Sequence, residues 1–173
     1  MDLKATIRSI PNWPKEKIIF RDITTLLENA DAFREACDRF YEHYRNVKID
    51  KIAGIEARGF LFAAVLAYRL GKGVVLIRKK GKLPFKTISE SYSLEYGEST
   101  LEVHEDSINA GENILIVDDL LATGGTVKAS ANLVEKLGGI VAGCAFVIDL
   151  PDLGGKEVLK KYDVFTLVSF EGH

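Results

Sequence analysis

The chain has little of what marks several classes of protein. It contains only two cysteines, Cys37 and Cys144. These fall in a predicted helix and a predicted buried strand, so we interpret both as small core residues, not as disulfide partners or metal ligands. No apolar run approaches the ~20 residues of a membrane span, and the start, Met1-Asp2-Leu3-Lys4, lacks the order of a signal peptide. We therefore expect a cytoplasmic protein that does not bind membranes.

Neither sign of charge is in excess. The sequence has 23 Lys and Arg residues against 25 Asp and Glu residues among 173 in total. A chain this close to neutral has no general attraction for nucleic acid or anionic lipid. Any anion must therefore bind at a local site. The length suits a single domain, residues 1–173, with a substantial core.

Helical and strand patterns alternate along most of the chain. The predicted elements are helices over about 31–45, 59–70 and 125–137, and strands over 51–55, 73–77, 114–117, 140–148 and 164–168. Continuous apolar strands separated by helices indicate an α/β fold, with a parallel sheet covered on both faces. Ligands of such folds bind at the carboxyl ends of the strands.

Two stretches, residues 1–28 and 79–106, do not fit this alternation. In the second, Leu101 and Val103 alternate with polar residues and follow the segment Tyr92–Tyr96, which predicts a two-stranded flap. A long excursion within a compact domain is more often a lid or binding loop than a linker.

The most informative segment is residues 117–126, which read Val-Asp-Asp-Leu-Leu-Ala-Thr-Gly-Gly-Thr directly behind a predicted strand. Asp118 and Asp119 can accept hydrogen bonds from ribose hydroxyls. The small residues after them bring backbone N–H groups and threonine hydroxyls to a phosphate at the start of the next helix. Adjacent aspartates can also be a simple helix cap and turn. A P-loop ATPase would need a Gly-Lys-Ser/Thr ending, which is missing.

This segment resembles the phosphoribosyl pyrophosphate motif of the type I phosphoribosyltransferases, and its exact residues resemble those of their adenine-specific branch. Residues 19–23, 53–60, 77–84 and 92–97 also match, in the family's order. The resemblance implies the type I phosphoribosyltransferase fold, with residues 1–28 as an N-terminal hood and 79–106 as a flexible flap. It also implies purine salvage: adenine and phosphoribosyl pyrophosphate become AMP and pyrophosphate, with Mg²⁺, in a homodimer.

The resemblance also implies roles for the residues of the central motif. Asp118 and Asp119 would bind ribose, and their carboxylates can offset positive charge on an oxocarbenium-like sugar. The residues expected to surround the 5′-phosphate are Ala122, Thr123, Gly124, Gly125 and Thr126.

Pyrophosphate would be bound by basic residues that follow two predicted strands. These are Arg58, Arg78, Lys79 and Lys82. Arg58 offers a planar fork for a phosphate, and an anion there would relieve the conflict between its charge and the helix dipole. For the other three, a solvated basic turn is the alternative, and in the family such residues can reach a neighbouring subunit's site.

Adenine would bind under the hood. Phe20 can stack on the purine, and the backbone of Ile19 and Arg21 can read its edge, which carries both donors and acceptors. Leu150 resembles the apolar residue that closes the opposite face. The alternative for Phe20 is packing in the core.

Glu95, in the predicted flap, resembles the residue that handles the proton of the purine. A carboxyl group enclosed by a closing lid can exchange a proton with the base as the glycosidic bond forms. Tyr96, next to it in the matching segment, is expected to contact substrate. His43 and His104 lack companions at metal-ligand spacing, so we expect Mg²⁺ to be held mainly by substrate oxygens and water.

Two alternatives remain open at this stage. A regulator of the same fold would bind the sugar pyrophosphate without turnover, because fold alone does not decide function. An enzyme for another purine, such as hypoxanthine or xanthine, would share the same motifs.

Overall fold

The structure is a computed structural model that describes residues 1–94 and 96–172. The strands are β1 (Arg8–Pro11), β2 (Ile19–Asp22), β3 (Lys51–Ile55), β4 (Gly73–Lys79), β5 (Thr87–Ser93), β6 (Glu98–His104), β7 (Asn113–Leu121), β8 (Ile140–Asp149) and β9 (Val164–Ser169). The helices are α1 (Thr24–Glu28), α2 (Ala30–Tyr44), α3 (Gly59–Leu70), α4 (Gly125–Lys136) and α5 (Gly155–Val158). Within this part of the chain, no helix has the length and apolar character that crossing a membrane requires.

Seven strands form the central sheet in the order β5-β6-β4-β3-β7-β8-β9. The five strands from β4 to β9 in this order pair in parallel, which confirms the predicted α/β class. One edge of the sheet is antiparallel, because β5 and β6 form a hairpin, the two strands that the pattern within residues 79–106 predicted. The hairpin joins β4 through two antiparallel pairs, Arg78↔Glu102 and Lys79↔Leu101.

Helices α2 and α4 each bury one apolar face against the sheet, and a capping residue sets where α2 begins. The Asn29 side chain accepts hydrogen bonds from the N–H groups of Asp31 and Ala32, so α2 begins at Ala30. Its buried face comprises Ala32, Ala36, Cys37, Phe40 and Tyr44. On the opposite side of the sheet, α4 buries a face that includes Val127 and Leu133.

The core therefore lies in two layers, one on each face of the sheet. Both cysteines are buried and free, as predicted, in separate layers. Burial raises the pKa of Cys37 to about 11 and that of Cys144 to about 12, so both remain thiols at neutral pH.

Strand β7 is longer than the sequence pattern predicts. It continues past Val117 to Leu121, and Asp118 and Leu121 pair with Phe146 and Asp149 of β8. The predicted strand ended at the carboxylates because acidic residues disfavour strands. The long neighbour β8 supplies backbone partners that override this preference. Both acids therefore project from a strand inside the sheet.

Outside the main sheet, β1 and β2 form a separate antiparallel pair. The side chain of Arg8 donates hydrogen bonds to Asp22, and these lower the pKa of Asp22 to about 2. The β1–β2 pair positions residues 19–21 over the carboxyl ends of the central strands.

Candidate active site

A cleft of about 330 Å³ lies at the carboxyl ends of the central strands. Most of the predicted substrate residues line it: Ile19, Phe20, Arg21, Arg58, Asp118, Asp119, Ala122, Thr123, Gly124, Gly125, Thr126 and Leu150. A second cavity of about 380 Å³ shares Arg58, Asp118, Asp119 and Thr126 with the first, so the two form adjoining lobes. The first lobe alone thus gathers residues from four segments of the chain into one site.

The two carboxylates line both lobes, and one of them is paired with the guanidinium of Arg58. Arg58 Nε donates to Asp119 Oδ2 at 2.6 Å, and the Asp119 N–H donates to Asp118 Oδ1 at 2.8 Å. Burial, with the neighbouring Asp119 carboxylate, raises the pKa of Asp118 well above its ordinary value. Two acids against one cation leave an electronegative point that favours hydroxyl donors and cations.

Gly59, the first residue of α3, allows this arrangement. A Cβ at this position would lie 2.7 Å from the Val117 carbonyl oxygen and 3.0 Å from Asp118 Oδ1. Only glycine lets the helix start so close to β7, which sets Arg58 beside the acid pair. The sequence predicted only that Arg58 follows a strand, because the close contact of Gly59 with β7 depends on tertiary packing.

Residues 122–126, the loop predicted to bind the 5′-phosphate and called the phosphate loop below, turn into α4. Gly124 has a left-handed φ of 92°, and the first N–H groups of the helix have no acceptor within it. Thr126 Oγ1 donates to Tyr92 OH at 3.0 Å, and a Cβ on Gly125 would lie 3.2 Å from the Tyr92 ring. Tyr92, at the end of β5, thus covers the loop. Tyr92 belongs to a segment that matches the family, but its sequence context did not predict a place in the site.

At the other end of the cleft, the predicted base residues offer an apolar surface and backbone groups. Phe20 is half-buried and packs edge-on against Trp13, with ring centroids 4.7 Å apart. The Arg21 side chain donates to Ser9 Oγ at 2.6 Å and lies over the ring of Phe170. Its guanidinium therefore already has partners, and the use of the Arg21 backbone to read the base stays a prediction.

The predicted pyrophosphate residues are only partly brought together. Lys79 lines the second lobe beside Arg58. Arg78 instead donates to Glu56 at 3.1 Å, and Lys82 lines neither lobe. Burial alone would raise the pKa of Glu56, but hydrogen bonds from the Lys79 N–H and the Arg78 side chain lower it.

Tyr96, a predicted substrate residue of the flap, lines neither lobe of the cleft. Tyr96 is 76% exposed, and Lys15 Nζ of the hood lies 4.9 Å above its ring. Glu95 lies outside the described residues. Across 1–94 and 96–172 no three His, Cys, Asp or Glu residues form a group that could hold a metal ion.

These features are those of a phosphoribosyltransferase, and comparison with known proteins agrees. The family model of the Phosphoribosyl transferase domain matches residues 22–173. The adenine phosphoribosyltransferase of Desulfosudis oleivorans is 64% identical over 99% of both chains. The chain belongs to the adenine phosphoribosyltransferase family, as its motifs predicted.

Solved structures of that family share the whole fold. The adenine phosphoribosyltransferase of Thermoanaerobacter pseudethanolicus superposes with a TM-score of 0.94 at 50% identity, covering 98% of both chains. The Saccharomyces cerevisiae enzyme superposes with a TM-score of 0.91 at 41% identity, covering 96% of this chain and 97% of its own. The yeast protein was crystallised with adenine and an imino-altritol bisphosphate.

Proposed function

We propose that this chain converts adenine and phosphoribosyl pyrophosphate to AMP and pyrophosphate in purine salvage. The observation that carries the proposal is the order of groups along the cleft. The first lobe contains the purine surface of Phe20 and Leu150 and, beside it, the phosphate loop. The second lobe contains the basic residue Lys79. The acid pair and Arg58 line both lobes and so lie between them. The base, sugar and phosphates of the two substrates require this sequence of surfaces.

The reaction joins a ring nitrogen of adenine to ribose C1′ and breaks the bond from C1′ to a pyrophosphate oxygen. The pyrophosphate leaves with the bonding electrons, and adenine loses the proton on that nitrogen. Asp118 and Asp119 accept hydrogen bonds from the ribose and offset positive charge on the sugar ring. Arg58 and Lys79 receive the negative charge that develops on pyrophosphate.

Mg²⁺ fits the site as an ion carried by the substrate. The two carboxylates are hard oxygen donors, and the described residues supply no third acidic or imidazole group to complete a protein cage. When bound, Mg²⁺ neutralises charge on the leaving pyrophosphate. Asp118 and Asp119 would face it, with substrate oxygens and water as its main ligands.

The proton of adenine is assigned to Glu95, which lies outside the described residues, and Tyr96 beside it is proposed to contact substrate. We assign 1–28 as the hood and 79–106 as the flap of a single domain. In this proposal Arg78 and Lys82 bind pyrophosphate only when the flap closes, and Arg78 then exchanges its Glu56 partner for a phosphate oxygen.

An exposed apolar face supports a homodimer. Leu61 and Tyr68 lie on one side of α3 at a spacing of two turns, and Tyr68 is 87% exposed. Val74 and Leu76 of β4 are also exposed, and alternate with residues packed in the α4 layer, so they lie on the α3 side. Exposed apolar side chains on one face mark a surface that binds another protein molecule. We therefore propose that this face is the homodimer interface, and that the protein functions in the cytoplasm.

The deciding experiment is a panel of purines incubated with phosphoribosyl pyrophosphate and Mg²⁺ and scored for nucleotide product. We expect AMP from adenine and little product from hypoxanthine or xanthine. The Asp118→Asn/Asp119→Asn variant serves as the control for background turnover. Binding of phosphoribosyl pyrophosphate without product from any base would establish the regulator instead, and preference for another purine would reassign the base.

A further inference from the structure

Helix α5 backs the phosphate loop from outside the cleft. A Cβ on Gly155 would lie 2.6 Å from the Ala122 carbonyl oxygen and 2.6 Å from Leu121 Cδ1. A Cβ on Gly124 would lie 3.1 Å from Val158 Cβ. Both ends of this short helix therefore touch the loop, and the loop's shape depends on where α5 sits.

One ion pair fastens α5 to the sheet. Lys156 Nζ lies 3.2 Å from Asp149 Oδ2, at the end of β8. The Asp149 side chain is 1% exposed, whereas that of Lys156 is 54% exposed. Among the described residues, Asp149 Oδ1 has no hydrogen-bond partner. A buried carboxylate with so few partners is costly, so packing alone does not account for an aspartate here.

The same aspartate precedes the purine wall. Leu150 follows it directly, and the Leu150 N–H donates to the Leu121 carbonyl at 3.0 Å. Asp149 is also paired in register with Leu121, the residue before the phosphate loop. The paired residues Leu121 and Asp149 thus join the phosphate end of the cleft to its base end. Lys156 attaches α5 to Asp149 at this junction.

We propose that Asp149 and Lys156 are positioning residues, whose ion pair holds α5 against the phosphate loop and fixes the spacing between that loop and the purine wall at Leu150. This inference rests on the proposed function. A nucleoside monophosphate contacts both the phosphate loop and the purine wall at Leu150, so its binding depends on the distance between them. Pyrophosphate binds instead in the second lobe, beside Arg58 and Lys79. The pair should therefore tune affinity for AMP and leave affinity for pyrophosphate unchanged.

The test uses Lys156→Met, with Lys160→Met as a matched control that breaks an exposed pair with Glu157 near α5. We expect Lys156→Met to weaken AMP binding by about ten- to hundred-fold, the scale of losing one hydrogen bond to the charged phosphate. Pyrophosphate binding should not change. Amide exchange over residues 122–126 should be faster in the ligand-free variant. Lys156→Arg keeps the charge and should restore both properties.

A double variant separates positioning from stability. Asp149→Asn/Lys156→Met removes the unpaired buried charge, so its melting temperature should recover toward that of the wild type while AMP affinity stays low. Recovery of AMP affinity together with stability would overturn the inference, as would equal losses for AMP and pyrophosphate. A wild type that binds neither ligand would refute the proposed function, whereas the inference would still be decided by exchange in the ligand-free protein.

Discussion

The two lobes of the cleft differ in how their residues are held. The phosphate loop and acid pair belong to one continuous strand, turn and helix, β7 to α4, and they already face the cleft. The basic residues proposed to bind pyrophosphate come from separate segments, and two of them are paired inside the protein, Arg58 with Asp119 and Arg78 with Glu56. The backbone of the phosphate loop is therefore in place before substrate binds, whereas these two arginines must exchange internal partners for substrate.

Removing the acid pair should have the largest effect. Asp118→Asn with Asp119→Asn keeps the shape of both side chains and abolishes the negative charge that faces the sugar. We expect turnover to fall by roughly 10³-fold or more, because loss of one preorganised electrostatic group already costs about 10²–10³. Circular dichroism should show an intact fold, and near wild-type activity would remove both residues from the site.

Glu95→Gln tests whether chemistry depends on the flap. The amide keeps size and hydrogen bonding but loses the titratable proton, so the single-turnover rate should fall by about 10²–10⁴-fold while substrate binding is preserved. Glu98→Gln, at the start of β6, is the matched control. Amide exchange around residues 92–96 should slow when phosphoribosyl pyrophosphate, Mg²⁺ and an unreactive purine analogue are added. An unchanged single-turnover rate would assign the proton to another group.

Arg58→Ala separates the two lobes by their ligands. Pyrophosphate and phosphoribosyl pyrophosphate should lose roughly ten-fold or more in affinity, the scale of a hydrogen bond to a charged group, and AMP should lose less because it lacks the diphosphate. Arg69→Ala on the same helix breaks an ion pair with Asp38 away from the cleft and should change neither affinity. Equal losses for all three ligands in calorimetry would place Arg58 elsewhere.

Tyr92→Phe tests the contact between the flap and the phosphate loop. The Thr126 hydroxyl donates to Tyr92 in the ligand-free structure, so a 5′-phosphate must compete for that proton. Removing the tyrosine hydroxyl should strengthen AMP binding by roughly two- to ten-fold, the range of one net hydrogen bond. Tyr162→Phe, which removes a hydroxyl bonded to Glu135 of α4, should leave binding unchanged. Weaker AMP binding in Tyr92→Phe would mean that the hydroxyl supports the phosphate.

The smallest expected effect is on stability. Because burial and Asp119 raise the folded-state pKa of Asp118 above 3.8, the folded protein binds this proton more tightly than the unfolded chain. Its free energy of unfolding should therefore fall as the pH rises from about 4 through the raised pKa. Asp118→Asn should remove that dependence and gain on the order of 1 kcal/mol at neutral pH. Denaturant titrations of the wild type and of Asp118→Asn across this pH range would measure the free energy of unfolding of each. The same pH dependence in both proteins would show that burying the Asp118 carboxylate costs no stability.

The sequence predicted what local patterns control. The alternation of elements and the Gly71 end of α3 follow from short-range periodicity and turn chemistry, and the structure agrees with them. The structure also places the predicted residues 122–126 in the cleft. Residues that depend on distant partners escaped prediction. Strand β7 extends through its acids because β8 pairs with it, and Tyr92 joins the site because β5 packs on α4.

The narrow attachment of the β5–β6 hairpin has a consequence for evolution within the family. Among the described residues, its strand pairing with β4 is confined to Arg78 and Lys79, and β4 is itself held by β3. A change of length within residues 83–86, in the loop before β5, would therefore leave Lys79 in its lobe. A change of length at the tip, by contrast, would displace Glu95 and Tyr96, to which we assign the purine proton and a substrate contact, so the tip is the part of the hairpin whose length function constrains.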